Sequence, residues 1–306
     1  MDWGWLTDLL EKAFDIITGI LAKPIEFLFA QPAYYLPKEG TAIYNAFAGA
    51  SYNIISMDPQ SAGGGAMWGL VENINNAFVP FAASFAVVLL LITFCSSSLD
   101  VKDNMRFETV LKLYIKISLV EFLVVNNLSI LKNVMKICYG LLKVAGLSQG
   151  AVAVDVSRYL KPEDCKDGAG TLVILLLGFV LFMVCISSGI ALLFYAYKRV
   201  FKLLLVIPFG SFAFATFAGK HEVNRTGVTY IKYVIGTFAE AVVMLAALAL
   251  CAKLNMSDPA SLLQGSASLG VFSTVYGKLV MLALNCLITL GMVKSSEGIV
   301  QKALAI

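Results

Sequence analysis

Between Gly168 and Tyr197 the chain runs thirty residues without a charged side chain, then ends that run in Lys198-Arg199-Val200-Phe201-Lys202. Crossing the hydrocarbon of a bilayer takes about 20 helical residues. Backbone amides meet no water there, so the segment must be a helix that satisfies its own N–H and C=O groups. The basic cluster that follows fits a helix stopping at a cytoplasmic headgroup layer. One such run predicts an integral membrane protein, and comparable runs recur along this chain.

Composition agrees. Apolar residues make up 59% and charged residues 14% of the 306 positions, against about 45–50% and about 25% in soluble domains. Mean hydropathy is +0.81. A net charge of +3 is too small to draw nucleic acid by bulk electrostatics. Five of the six cysteines (Cys95, Cys138, Cys185, Cys251, Cys286) fall in apolar stretches and Cys165 in a polar one. With no CxxC spacing and one histidine, His221, neither a disulfide framework nor zinc is expected. Cysteine then reads as a small apolar side chain. The start, Met1-Asp2-Trp3-Gly4-Trp5 followed by Asp8, Glu11 and Asp15, lacks the basic opening and apolar run of a cleavable signal peptide.

Along the chain, residues 1–23 predict an amphipathic helix. Leu6, Leu9, Leu10, Ala13, Ile17, Ile20 and Leu21 oppose an acidic face. Residues 31–66, punctuated by Pro32, Pro37, Pro59 and Gly63-Gly64-Gly65, read as an irregular connector with a short helix near 41–55. No Lys-Ser/Thr follows the glycines, so a P-loop is excluded. A membrane domain over 67–306 follows. Its first span is expected near 76–98, with Pro80 near the start, and its second near 107–127. In the second, Lys112 and Lys116 share a face that should be kept from lipid, and Glu121 sits at depth. Residues 128–146 repeat the theme. Lys132, Lys136 and Lys143 lie within roughly 40° on a helical wheel, so this helix either lies in the interface with its lysines snorkelling or lines a wet cavity. The first reading is preferred. Residues 147–167 predict a small exposed polar loop.

Span three is 168–197. Span four, near 203–219, is short and contains Pro208, so a kink or a shallow re-entrant piece is expected. Its Ser211, Ala215 and Gly219 form a small-residue ridge suited to close helix packing. Span five, near 230–252, carries Glu240, and span six is near 271–293, followed by a short tail. The expected fold is all-α: a polytopic helical membrane protein of about five to seven segments. With the N-terminus outside, Lys102, Arg106, Lys198, Arg199, Lys202 and Lys253 fall inside, but six basic residues of 128–170 do not. The positive-inside rule therefore leaves the orientation open.

No acid–His–nucleophile set, HExxH, GxSxG or Walker motif occurs. An enzyme is not expected, nor is a cofactor. A charge at bilayer depth costs at least about 2.5–3.5 kcal/mol, so Glu121 and Glu240 need a reason. They serve an ion pathway or polar conduit, or they pair with Lys112, Lys116 or Lys232 for structure.

From Tyr195 to Ala249 a distinct pattern appears. Lys198-Arg199 precedes an apolar stretch interrupted by Pro208-Phe209. Small residues run to Gly219, a polar turn follows, and Tyr230-Ile231-Lys232-Tyr233 opens the next helix. This pattern resembles the TrbL family, the polytopic membrane subunits of type IV secretion and conjugal transfer systems, in the form found on Gram-positive mobile elements. The resemblance covers roughly residues 70–295 and rests on hydropathy pattern more than on invariant chemistry. The extended C-terminal domain of many members has no counterpart here. It implies a non-enzymatic, self-associating subunit of a bacterial cytoplasmic-membrane complex. The implied partners are other secretion-system membrane subunits, ATPases on separate chains, the lipid bilayer and, transiently, translocating DNA. The competing expectations are a small-molecule or ion transporter or channel using Glu121 and Glu240, and a scaffold that conducts nothing. No internal repeat of the kind common in transporters is evident.

Overall fold

The structure is a computed structural model that describes residues 29–100, 107–144, 154, 156–158, 160–165, 168–256 and 275–303. The expected amphipathic helix over 1–23 lies outside them. The described chain is all-α: α1 Gln31–Ser56, α2 Ala66–Asp100, α3 Phe107–Val125, α4 Asn127–Val144, α5 Gly168–Val206, α6 Gly210–Ala215, α7 His221–Met256 and α8 Val275–Ala303, with 3-10 turns between several of them. Among the described residues four stretches are long and apolar enough to cross a membrane: Ala66–Ser96, Gly170–Ala218, Glu222–Lys253 and Val275–Ala303. The bent pair α3–α4 makes a fifth if it counts as one span. Phe81, Leu91, Leu176, Phe194 and Leu205 are each more than half exposed, a surface that only lipid or a protein partner can cover. This is a polytopic membrane protein.

Two compact units form, each assembled from separate parts of the chain. The first comprises residues 1–50, 151–193 and 248–291. In it the segment expected to be irregular is instead the continuous helix α1, with Pro37 inside it. Proline costs a helix one backbone bond, and tertiary packing overrides that cost here. A Cβ on Gly178 would stand 2.9 Å from the Pro37 ring, so α5 approaches α1 closely only because residue 178 is glycine. Asn45 holds the backbone of Val154 from both sides, donating to its carbonyl at 2.9 Å and accepting from its amide at 2.8 Å. Val154, Val156, Leu160 and Cys165 are buried, so the segment expected to be an exposed polar loop contributes apolar side chains to the core. Tyr44, fully buried, sits among Cys185, Cys251, Cys286 and Thr289, and burial pushes its hydroxyl pKa up. The Cys185 and Cys286 sulfurs lie 3.9 Å apart, as free thiols.

The second unit comprises residues 51–150, 194–247 and 292–306. Here α2 begins ten residues before the expected span, so Pro80 is interior. The polar letters of 66–75 hid the helix because they are spent on partners. Trp68, Val71 and Asn75 are buried at helical spacing, and Asn127 Nδ2 donates to Asn75 Oδ1 at 3.0 Å. That bond anchors the break between α3 and α4, which meet at 69°. One core joins Trp68 and Val71 to Leu131 and Met135 of α4, Val200 and Leu203 of α5, and Val234 and Phe238 of α7. A second joins Ala82, Ala86 and Leu90 of α2 to Val120 and Val124 of α3 and to Phe214 and Ala215 of α6.

Helix α5 does not stop at Lys198-Arg199 but continues to Val206. The apolar stretch Gly170–Ala218 runs 49 residues, about 74 Å at helical rise, more than twice the bilayer core. Its regular helix ends at a 3-10 turn, Ile207–Phe209, containing Pro208. The Gly210 amide bonds Ile207 O rather than Val206 O. Tyr230 Oη supplies the missing donor, reaching Val206 O at 3.1 Å. Six residues of α6 and a second 3-10 turn then lead to Gly219. Gly227 of α7 packs against this piece. A Cβ there would meet Ala213 O and Thr216 Oγ1 at 2.8 Å.

Candidate functional site: a charged cluster among apolar helices

Arg199 is 1% exposed, and each part of its guanidinium has an acceptor. Nε donates to Thr237 O and Nη1 to Ile55 O, both at 3.3 Å, and Nη2 donates to Tyr139 Oη at 3.2 Å. Ile55 lies in the last turn of α1, where carbonyls lack helical partners. Four residues on stands Pro59, which has no N–H to offer. Arg199 therefore supplies the donor that α1 lacks, and the same planar fork ties α1, α4 and α7 to α5. Lysine, a point donor, has no such fork.

Lys198 and Lys202, one turn apart on α5, both reach Glu297 of α8, at 3.2 and 2.7 Å. Lys202 Nζ also stands 3.7 Å from Glu240 of α7 and 5.0 Å from the centre of the Tyr233 ring. Only 16% of the Lys202 side chain and 9% of the Glu240 side chain are exposed. Two carboxylates so placed would repel each other; the ammonium between them offsets that repulsion. The cavity beside them is ≈ 10 Å³, room for about one water.

Glu240 thus has a cation, but Lys202 rather than the expected Lys112, Lys116 or Lys232; Lys232 is exposed. Glu121 is exposed on α3 and does not join the cluster. The lysines expected to form continuous faces are separated by their roles. Lys132 bonds Glu72 of α2 at 2.7 Å and lies 5.5 Å over the Trp68 ring, while the indole N–H donates to the same carboxylate at 2.8 Å. Lys136 and Lys112 are exposed, and Lys116 donates to Gly219 O at 3.0 Å, capping the turn after α6. Lys143 lies on α4, and its side chain is outside the described residues. Ser211, Ala215, Gly219 and Pro208 are all buried. Arg199, Lys202, Glu297 and Glu72 were missed. The cluster at 198–202 read as a membrane stop, Glu297 fell in what passed for a tail, and Glu72 lay just ahead of the first expected span. One signal was available: charges spaced one helical turn apart at 198 and 202, with carboxylates of opposite sign on two later helices.

Among the described residues no group of three or more His, Cys, Asp or Glu could hold a metal ion. Fold and site define a multi-pass α-helical membrane protein whose buried charges tie helix to helix. Compared with family models, with characterised proteins and with solved structures, the chain matches nothing.

Proposed function

We propose that this chain is a non-enzymatic membrane subunit of a conjugative type IV secretion apparatus in the bacterial cytoplasmic membrane, where it assembles with copies of itself and with partner subunits. One observation supports this reading above others: the residues that carry the TrbL resemblance perform linked packing tasks in one unit. Arg199 caps α1 and binds α7, and Pro208 breaks the helix at a turn closed by Tyr230. Gly219 takes the Lys116 ammonium, and Tyr233 sits beneath Lys202. The buried charges are consumed in holding the bundle, which suits a component that organises a complex. It suits a solute pathway through Glu240 less well, since that carboxylate is paired beside a cavity of ≈ 10 Å³.

A tagged copy, gently solubilised from donor membranes, should co-purify with the other membrane subunits of the apparatus and with its ATPases. Recovery of the chain alone, under conditions that keep those partners together, would contradict the proposal. Electrogenic flux in proteoliposomes that disappears with Glu240→Gln would replace it with the transporter reading.

A further inference from the structure

The second unit contains a groove of ≈ 470 Å³, within the range of about 300–1,000 Å³ typical of ligand sites. It runs between the bent pair α3–α4 and the α6–α7 region. Val120, Leu123, Leu131, Phe214 and Val234 are among its lining residues. Two polar side chains interrupt the apolar wall, Lys116 and Asn224. Lys116 spends one of its three protons on Gly219 O and keeps two. Asn224 Oδ1 is buried with no hydrogen-bond partner, an unfavourable arrangement unless something donates to it. Both belong to the end of the groove near the turn Gly219–Lys220. There Lys220 bonds Ser96, and Glu222 and Arg225 are exposed.

A cation and an unsatisfied acceptor at one end of an apolar groove are complementary to an amphiphile of one kind. We propose that the groove holds one anionic phospholipid whose headgroup carries a hydroxyl. The phosphate takes the two remaining Lys116 protons, the Asn224 amide turns to accept from the headgroup hydroxyl, and an acyl chain lies along Leu119, Leu123 and Ile235. A zwitterionic choline lipid brings its own cation to Lys116 and no hydroxyl to Asn224, so it fits worse. This inference is independent of the proposed function.

The test uses the full chain in detergent, with phosphatidylglycerol and phosphatidylcholine of identical acyl chains added in turn, and reads bound lipid by native mass spectrometry and the unfolding midpoint. Phosphatidylglycerol should be retained at one copy and raise the midpoint, with phosphatidylcholine bound about tenfold or more weakly. Asn224→Asp keeps the side-chain shape but sets a negative charge against the phosphate, and should abolish the preference, with a lower lipid-free midpoint because the charge falls on a buried oxygen. Lys116→Gln should do the same at some cost in stability, because it also weakens the cap on Gly219. Equal retention of both lipids, or a preference that survives Asn224→Asp, would overturn the proposal. So would crosslinking from Leu119→Cys, on the exposed wall of the groove, to a protein helix in native membranes, which would show a polypeptide in the groove.

Discussion

Arg199→Leu should lower the unfolding midpoint of the purified protein more than any other single change in the second unit, at a cost of about 3 kcal/mol or more. The side chain is 1% exposed, and its loss strands Ile55 O at the end of α1, where Pro59 offers no N–H. The bonds to Thr237 O and Tyr139 Oη go with it. Charged hydrogen bonds contribute about 1.5–3 kcal/mol each; leucine recovers part of that through apolar contact. Arg199→Lys should rescue little, since one ammonium cannot meet acceptors on three helices with the same geometry. Tyr139→Phe removes a single bond and should cost about 1 kcal/mol. Thermal unfolding followed by loss of the monodisperse peak on size exclusion would measure all three. Equal midpoints for the wild type and Arg199→Leu would remove Arg199 from the account.

Lys202→Met should have the next largest effect, about 2–3 kcal/mol, because it leaves Glu240 buried without its cation beside the partly exposed Glu297. Adding Glu240→Gln should recover most of the loss, since the neutral pair no longer needs the ammonium. Glu240→Gln alone should cost less than Lys202→Met, because Lys202 keeps Glu297 at 2.7 Å. The double-mutant cycle therefore carries the argument: a coupling of about 1 kcal/mol or more is expected. Strict additivity would show that the 3.7 Å approach of Lys202 to Glu240 contributes nothing.

What the sequence made legible follows from what a bilayer demands. Long uncharged runs admit only helices, so the all-α class and the helices near 76–98, 107–127, 128–146, 168–197 and 230–252 could be read from hydropathy alone. Pro208 could be read as a break because proline withholds an N–H, although Pro37 and Pro80, inside continuous helices, show that this alone does not end a helix. The misreadings share one cause. Prolines and polar residues were taken as punctuation, whereas α1 carries Pro37 and α2 begins with Glu72 and Asn75 engaged on α4. Charges at 198–202 marked a membrane edge only so long as their partners were unknown; Glu297 and the carbonyls of Thr237 and Ile55 lie about 40–140 residues away in sequence. Local pattern gives helix existence. Which polar group a buried charge meets is decided by tertiary contact, which local pattern does not specify.

The central claim, that this chain belongs to a conjugation apparatus, is tested most directly by mating efficiency from a donor lacking only this gene. The account predicts that transfer is lost and is restored by a wild-type copy supplied in trans. Undiminished transfer from the deletion donor would contradict it.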